Sequence, residues 1–410
     1  MNVKITFCAG CVALLYAYAT LAECVRPQNV PDLMLCEDGS RVADVRAWER
    51  KRHGEIFDFF MQEVYGRRPI EHPDDLRAEV MDVDEVAMSG QAIRKRVCIS
   101  WMGPCGKWSF VFTVFVPKRV VANGVAAPSF LLICNRSADE NIDPTRRAKS
   151  YFWPAEEIID RGYAAIAFHT GDLARDEGCS TFTNGVFGVY GERGKDSWGA
   201  LSAWAWGASL VMDWIETESL LNAKHVGVVG HSRGGKAALL AGVVDARFAM
   251  VCSNDSGCSG AKLNHIFLPK SESIKSITTA FPHWFSDEYG KWAGREFMMP
   301  YDQHEWVALI APRLVALSSA TEDDRAGQLG EFYTAQLASP AWELYGRKGL
   351  VAPKDPPMEG DRPKAGLAYQ EGCISYHIRQ GTHTLSTYDW HRYMDFADRH
   401  GWRDVKKSIR

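Results

Sequence analysis

The residues with the clearest chemical potential lie in the segment HVGVVGHSRGGKAALLAG, residues 225–242. An apolar run ends at Gly230, Ser232 follows, and Gly234 opens a run of small residues with helical character. This strand–turn–helix pattern is typical of a nucleophile elbow, in which a sharp turn lifts a serine hydroxyl above the edge of a sheet. Glycines on both sides of the serine remove the Cβ atoms that would clash in such a turn. The segment therefore predicts a nucleophile at Ser232, and the alternative is an ordinary turn in which the serine caps a helix.

A serine nucleophile needs a base that takes its proton, and in folds with this elbow the chain order is serine, acid, histidine. His383 has that order, because it stands in a turn after the last predicted strand and before a predicted helix. His231 adjoins the nucleophile, but its side chain should point away from Ser232 and serve in packing or hydrogen bonding. His377 lies within the last predicted strand, where we expect a structural role. We therefore predict His383 as the base.

Two aspartates compete for the acid that orients this histidine. Asp323 follows the predicted strand at residues 314–318, and Asp255 follows the strand before it, at residues 248–252. Either carboxylate could reach His383 from its loop, and the alternative for one of them is the capping of a turn. We favour Asp323 and keep Asp255 as a rival or a co-contributor.

Two basic residues follow the nucleophile closely. Arg233 is its direct neighbour, and Lys236 lies one helical turn further along. A fixed guanidinium at Arg233 could donate to a developing oxyanion, together with the backbone N–H groups at the start of the helix. The alternative is that both side chains are solvated surface charges. We expect both to contribute to the substrate site.

Short apolar strands that alternate with helices must hold these residues in place. The predicted strands are residues 108–116, 130–134, 162–168, 225–229, 248–252, 314–318 and 374–378, and the predicted helices include residues 45–65 and 196–216. This alternation indicates a mostly parallel sheet covered by helices on both faces. Residues 258–300 form a long, aromatic-rich insertion between two core strands, and we expect it to shape the substrate site.

Composition limits the classes of partner and the compartment. The chain has 410 residues, 46% of them hydrophobic, and a net charge of −4 without a long basic run, so we expect no nucleic-acid partner. Residues 1–22 resemble a signal peptide, with Lys4 before an apolar stretch and small residues at its end. No other segment predicts a membrane span, so we expect a secreted or periplasmic monomer without stable membrane insertion, and a single catalytic domain over residues 23–410.

Cysteine usage gives a weaker signal. Two of the eleven cysteines fall in the predicted signal peptide, which leaves an odd number, nine, in the mature chain. We expect most of them to be buried small hydrophobes and one or two disulfides to form. No C-x-x-C pair or ligand spacing points to a metal site, and we expect no metal and no organic cofactor.

Six blocks of sequence together resemble the glucuronoyl esterases of carbohydrate esterase family 15, particularly the bacterial members. The blocks are DSWGALSAWAWGASLVMDW (196–214), VVGHSRGGKAALLAG (228–242), SNDSGCSGAKL (253–263), TAFPHWF (279–285), DQHEWVALIAPR (302–313) and YHIRQGTHTLSTYDWHRYMDFADRHGW (376–402). The resemblance implies an α/β-hydrolase fold: a mostly parallel central sheet sandwiched by helices, with insertions shaping the active-site cleft.

The resemblance also implies roles for individual residues. Ser232 resembles the family nucleophile and His383 its base, Arg233 resembles the arginine that stabilises the oxyanion, and Lys236 and Glu272 resemble residues that bind the glucuronate. Many members carry a catalytic glutamate where Asp255 stands, and Asp323 resembles a second carboxylate of bacterial members. We also assign Trp284, in the block TAFPHWF, to the substrate-binding surface.

Two positions depart from the family pattern. Arg325 stands where members often carry a tryptophan that touches the xylan sugar, and we count it among the substrate-binding residues. Thr384 follows His383, at a position where the family usually has an aspartate. We expect this difference to change the hydrogen bonding within the loop more than the catalytic reaction. The preference for the carbohydrate portion is therefore expected to differ.

The function implied is hydrolysis of esters of (4-O-methyl-)D-glucuronic acid, as in lignin–glucuronoxylan cross-links, by a serine, histidine and acid mechanism. The first alternative is an acetyl xylan esterase or another acyl esterase of this fold. A peptidase is favoured less. An alternative of a different class, a silent carbohydrate-binding module, is disfavoured by the intact Ser232, His383 and two carboxylates.

Overall fold

The computed structural model of the protein describes residues 25–403, so the predicted signal peptide lies outside the described residues. Within residues 25–403, no helix combines the length and the apolar character needed to cross a bilayer.

A ten-stranded sheet organises the described part of the chain, in the order β1-β2-β3-β5-β4-β6-β7-β8-β12-β11. The six strands from β5 to β12 in this order run parallel, while β1, β2, β3 and β11 pair antiparallel with their neighbours. A separate pair, β9 and β10, completes the strands described. The strands are β1 Arg77–Val86, β2 Ala92–Gly103, β3 Gly106–Pro117, β4 Ala127–Cys134, β5 Ala164–His169, β6 Leu221–His231, β7 Met250–Asn254, β8 Leu314–Ala320, β9 Met358–Glu359, β10 Arg362–Pro363, β11 Ala368–Tyr369 and β12 Ile374–Arg379.

The parallel strands are rich in apolar residues and lie in the interior of the protein. Every residue of β4, β7, β8 and β12 is buried, as expected for strands that helices cover on both faces. The helices are α1 Val45–Ala47, α2 His53–Phe60, α3 Ala87–Gly90, α4 Lys118–Val121, α5 Ala138–Asn141, α6 Ala155–Arg161, α7 Gly185–Tyr190, α8 Ala200–Thr217, α9 Arg233–Val244, α10 Ile274–Ala280, α11 Gln303–Ala308, α12 Gln328–Leu337, α13 Ser339–Leu344 and α14 Thr387–Arg399. The predicted α/β-hydrolase architecture is confirmed, with α9 packed between β6 and α8 behind the nucleophile.

The N-terminal third differs in part from the prediction. The predicted helix over residues 45–65 is present, but π-helical turns at Trp48–Arg52 and Met61–Tyr65 interrupt it. The strands β1 and β2 were not predicted. Eight of the ten residues of β1 are exposed, since it is an edge strand, so burial imposes no apolar pattern on it. The alternation of buried Val97, Ile99 and Trp101 in β2 was a signal that could have found the hairpin.

The expectation of one or two disulfides is wrong for the described residues. All eight cysteines within residues 25–403 are free thiols, and five of them are buried: Cys36, Cys134, Cys252, Cys258 and Cys373. They pack as small hydrophobic side chains, in line with the other part of the prediction.

The insertion at residues 258–300 has little regular structure apart from α10 and short 3₁₀ turns. It is fixed at its end by Asp302, whose buried carboxylate accepts hydrogen bonds from the backbone N–H groups of Asn264 and His265. The start of α8 lies directly against it, since a Cβ at Gly199 would come within 2.3 Å of the Trp284 carbonyl oxygen. These contacts hold the insertion over the carboxyl edge of the sheet.

Candidate active site

The nucleophile elbow is formed as the sequence predicts. Ser232 lies between β6 and α9 with φ 56° and ψ −124°, a strained conformation for a residue with a side chain. A Cβ at Gly230 would lie 1.9 Å from the Gly234 carbonyl oxygen, and one at Gly234 would lie 3.0 Å from that of Ile133. The glycines on both sides are thus required by close backbone approach, and the turn presents Ser232 at the N-terminus of α9.

His383 lies in the loop between β12 and α14, and its Nδ1 contacts the Asp323 carboxylate in a short hydrogen bond. Asp323 follows β8, its backbone N–H donates to the Ala320 carbonyl oxygen, and it is buried, whereas the His383 side chain is 40% exposed. A carboxylate at Nδ1 fixes the tautomer that leaves Nε2 free to take a proton. The structure therefore brings Asp323, His383 and Ser232 to one cavity.

Asp255 lies close to the same pair, but in a different environment. Ligand atoms of Asp255, Asp323 and His383 all lie within 4.8 Å of one another. Asp255 has φ 45°, and neither of its carboxyl oxygens accepts or donates a hydrogen bond among the described residues. Burial, followed by the nearby carboxylates, raises the pKa of Asp255 well above its ordinary value, and Arg379 at 3.6 Å only partly opposes this. The geometry thus gives the histidine contact to Asp323, while burial disfavours the charged form of the Asp255 carboxyl beside it.

These three groups are also the set within residues 25–403 that could hold a metal ion. The contact between Asp323 Oδ2 and His383 Nδ1 already engages two ligand atoms with each other. The arrangement therefore fits a hydrogen-bonded acid and base better than a ligand set.

His231 packs against the ring of His383. Its ring centroid lies 4.4 Å from that of His383, and its Nδ1 is 2.7 Å from Asn254 Oδ1. Burial, followed by the His383 and Arg136 charges, lowers the pKa of His231 well below its ordinary value, so its ring is neutral. The side chain fills the packing and hydrogen-bonding role that the sequence indicated.

Arg233 is held at the edge of the cavity by two partners. Its Nη2 donates to the Asn135 carbonyl oxygen at 3.1 Å, and its Nε lies 2.7 Å from Asp176 Oδ2. The Nε–H does not point at the carboxylate, so this second contact is an ion pair rather than a hydrogen bond. Burial lowers the pKa of Arg233, and the Asp176 charge opposes that shift. Arg233 is thus a fixed cation next to the nucleophile and not a solvated surface charge.

Lys236 is buried in the same wall. Its Nζ donates to the Ser256 carbonyl oxygen in a short hydrogen bond and lies 3.8 Å from Glu272 Oε2. Glu272 in turn lies 3.2 Å from the Arg325 guanidinium, whose side chain is 76% exposed. Burial lowers the pKa of Lys236, and Glu272 is the first of the carboxylates that oppose the shift. A chain of alternating charges therefore leads from the buried end of the cavity to its mouth.

The cavity that these residues enclose has a volume of about 250 Å³. All nine residues that the sequence assigned to the site line it: Ser232, Arg233, Lys236, Asp255, Glu272, Trp284, Asp323, Arg325 and His383. Phe281 adds to the apolar wall by stacking on Trp284 with ring centroids 4.0 Å apart. A small cavity that combines this apolar wall with several charged side chains can hold a small ligand whose polar groups make specific hydrogen bonds.

Two functional neighbours were missed by the sequence reasoning. Asp176, in the loop after β5, binds Arg233, and Glu331 of α12 accepts from the Gly257 backbone N–H at 2.9 Å beneath the cavity. The position of Asp176 just beyond the carboxyl end of a predicted strand was a signal for it. Glu331 had no such signal, because it lies inside a helix.

Comparison with known proteins agrees with this geometry. The family model described as glucuronyl esterase of fungi matches residues 151–346. A carbohydrate esterase from an unknown prokaryotic organism is 33% identical, with 91% of this chain and 89% of that protein covered. The solved glucuronoyl esterase from Solibacter usitatus is 31% identical and superposes with a TM-score of 0.81 over 92% of this chain and 99% of its own.

The chain belongs to the glucuronoyl esterase family, carbohydrate esterase family 15. It is a carboxylic ester hydrolase with the α/β-hydrolase fold. A fungal relative, the 4-O-methyl-glucuronoyl methylesterase of Podospora anserina, is 29% identical over 46% of this chain, and the match spans only 40% of its length.

Proposed function

We propose that this esterase hydrolyses esters of D-glucuronic acid or 4-O-methyl-D-glucuronic acid in which the ester is formed on the sugar's carboxyl carbon. The observation that carries the proposal is the polar wall beside the nucleophile, where Lys236, Glu272 and Arg233 face one small cavity. Charged groups that donate and accept hydrogen bonds suit the hydroxyl groups of a uronate ring. The names of the bacterial and fungal relatives support the same substrate class.

The proposed mechanism assigns each side chain one task. Ser232 Oγ attacks the ester carbonyl while His383 Nε2 takes its proton, and Asp323 holds the histidine ring through Nδ1. Arg233 and the backbone N–H groups at the start of α9 stabilise the oxyanion. His383 then protonates the departing alcohol. In the second step His383 takes a proton from water, which attacks the acyl-enzyme, and returns that proton to Ser232 Oγ as the acid is released.

We propose that residues 1–22 are a signal peptide and that the mature chain is one catalytic domain. The mature enzyme then acts as a secreted or periplasmic monomer on glucuronoxylan or its lignin esters. The acidic residues and basic residues are mixed along the sequence, which supports a carbohydrate rather than a nucleic acid as partner. The proposed mechanism uses Ser232, His383, Asp323 and Arg233, together with the backbone N–H groups of α9 and a water molecule.

The test compares two substrates with two proteins. Purified enzyme is assayed on methyl D-glucuronate and on acetylated xylan, and Ser232→Ala is assayed as the matched inactive control. We expect turnover of the glucuronate ester that exceeds release of acetate, and no turnover by the variant. Faster deacetylation of xylan would favour the acetyl esterase alternative, and near-parental turnover by a folded Ser232→Ala protein would refute the mechanism.

A further inference from the structure

A single carboxylate joins two walls of the active site. Asp176 Oδ1 lies 2.6 Å from His283 Nε2 and accepts a hydrogen bond from Trp284 Nε1 at 2.7 Å, while Asp176 Oδ2 lies 2.7 Å from Arg233 Nε. Arg233 belongs to the elbow, whereas His283 and Trp284 belong to the insertion. Three nitrogen-bearing side chains from two separate elements therefore meet at one acidic side chain in the loop after β5, one by a hydrogen bond from the Trp284 indole and one by the ion pair with Arg233.

Asp176 does not line the cavity. Arg233 and Trp284 are among the described residues that line the cavity, and Asp176 is not. It contacts the site only through these residues, so any effect on the reaction must pass through them. This arrangement separates Asp176 from residues that touch substrate.

The Asp176 contact restrains the guanidinium in one orientation. The Asn135 carbonyl oxygen accepts a hydrogen bond from Arg233 Nη2, and the ion pair with Asp176 draws Nε to the other side, so the guanidinium is restrained at two points. Burial alone would raise the pKa of Asp176, but its contacts with His283, Trp284 and Arg233 keep it below the ordinary value. The Asp176 carboxylate is therefore ionised and pairs with the partly buried guanidinium of Arg233.

We propose that Asp176 is a positioning residue: it holds the Arg233 guanidinium in the orientation that meets the oxyanion and ties that cation to the Trp284 wall. The inference rests on the proposed oxyanion role of Arg233. A donor fixed before the reaction contributes more to the transition state than one that must be ordered during it. Removing the Asp176 charge should therefore lower kcat more than it changes KM.

The test is a double-mutant cycle between Asp176→Asn and Arg233→Ala. We expect Asp176→Asn alone to lower kcat by about 10- to 100-fold, which is less than the roughly 10²- to 10³-fold cost of removing an oxyanion donor outright, because Arg233 itself is still present. In the Arg233→Ala background the same substitution should cost less than about twofold, since both act on one interaction. Asp176→Glu, which keeps the charge, should recover part of the lost turnover. Glu177→Gln is the matched control, because its side chain is exposed and lies 3.9 Å from Arg175.

Each other outcome counts against the proposal. An equal loss in both backgrounds would mean that Asp176 acts independently of Arg233, and unchanged kcat in Asp176→Asn would mean that it positions nothing. Should Asp176→Asn fail to fold by circular dichroism, the cycle is run with Asp176→Glu, and a loss that is independent of Arg233 would again overturn the proposal.

The assay also separates this inference from the proposed substrate. The cycle is measured on methyl D-glucuronate and, in parallel, on p-nitrophenyl acetate. A wild-type enzyme that cleaves only p-nitrophenyl acetate would refute the glucuronate proposal while the cycle still tests Asp176. Coupling on both esters supports a role at the oxyanion, which all esters share.

Discussion

Two aspartates share the neighbourhood of one histidine, but only one of them contacts its ring. Asp323 contacts His383 Nδ1, whereas the enclosed carboxyl of Asp255 makes no hydrogen bond among the described residues, and burial raises its pKa well above the ordinary value. A carboxylate in contact with Nδ1 orients the ring and stabilises the imidazolium, and burial disfavours the charged form of Asp255 that this role would need. The structure thus favours Asp323 as the orienting acid.

Asp323→Asn should therefore reduce activity far more than Asp255→Asn. We expect a loss in kcat on the order of 10⁴ for Asp323→Asn, the scale on which serine hydrolases depend on this acid. Asp255→Asn keeps the shape of a side chain that makes no hydrogen bond among the described residues and should cost less than about tenfold, or about 1.4 kcal/mol in the barrier. Steady-state kinetics on one glucuronate ester checks both. The reverse order would assign the acid to Asp255, and two mild single variants with a severe double variant would mean that both carboxyls can serve.

Arg233 is the second residue whose chemistry can be tested alone. Arg233→Ala should lower kcat more than it raises KM, because contacts to an oxyanion strengthen in the transition state. Loss of one such donor typically costs about 2.7–4 kcal/mol in the barrier. Separate values of kcat and KM distinguish this from ground-state binding, and a change confined to KM would remove Arg233 from the oxyanion site.

At the scale of elements, the site depends on how closely the insertion approaches α8. Gly199 precedes α8 in an extended conformation that any residue can adopt, so only space restricts it. A Cβ there would lie 2.3 Å from the Trp284 carbonyl oxygen, which is backbone and cannot swing away. The start of α8 therefore sets the position of Trp284 and of Phe281, which stacks on it.

Gly199→Ala should displace the backbone of Trp284 and with it the Trp284 side chain. We expect it to lower the free energy of unfolding by about 1–3 kcal/mol, as overpacking does, and to raise KM for the glucuronate ester through Trp284. Gly290→Ala is the matched control in the same insertion, since no atom lies within 4 Å of its added Cβ. Thermal melts and steady-state kinetics of both variants provide the measurement. Equal behaviour of the two variants would show that the α8 contact does not position the site.

At the scale of the whole molecule, the fold buries an acidic group beneath its active site. Glu331 accepts hydrogen bonds from Ser319 Oγ at 2.5 Å and from the Gly257 backbone N–H at 2.9 Å. Burial raises the pKa of Glu331 from 4.5 to about 7. Between these two pH values the folded protein holds a proton that the unfolded chain has released. Folding stability from this group therefore falls as the pH rises through that window.

Glu331→Gln should remove this pH dependence. The contribution of the raised pKa amounts to up to about 3 kcal/mol across the window, since each pKa unit corresponds to about 1.4 kcal/mol. Relative to the wild type, the variant should thus gain stability between pH 4.5 and pH 8, because glutamine never ionises. Urea unfolding of both proteins at several pH values checks it. A difference between them that stays constant with pH would mean that Glu331 ionises normally in the fold.

The sequence alone determined the parts of this esterase that depend on local pattern. Ser232 was identifiable because its turn demands glycines at fixed offsets, and the parallel strands because burial on both faces makes them rich in apolar residues. Chain order then singled out His383. The exposed edge strand β1 could not be found in this way, since no burial pattern marks it.

Which groups meet depends on the tertiary packing. Asp323 and His383 are 60 residues apart, and Asp255 also follows a core strand, so the contact at Nδ1 depends on how two loops pack. Asp176 reaches Trp284 across 108 residues, and no local rule links them. The protonation of Asp255 and Glu331 is likewise set by burial, which is a property of the folded environment and not of the residue type.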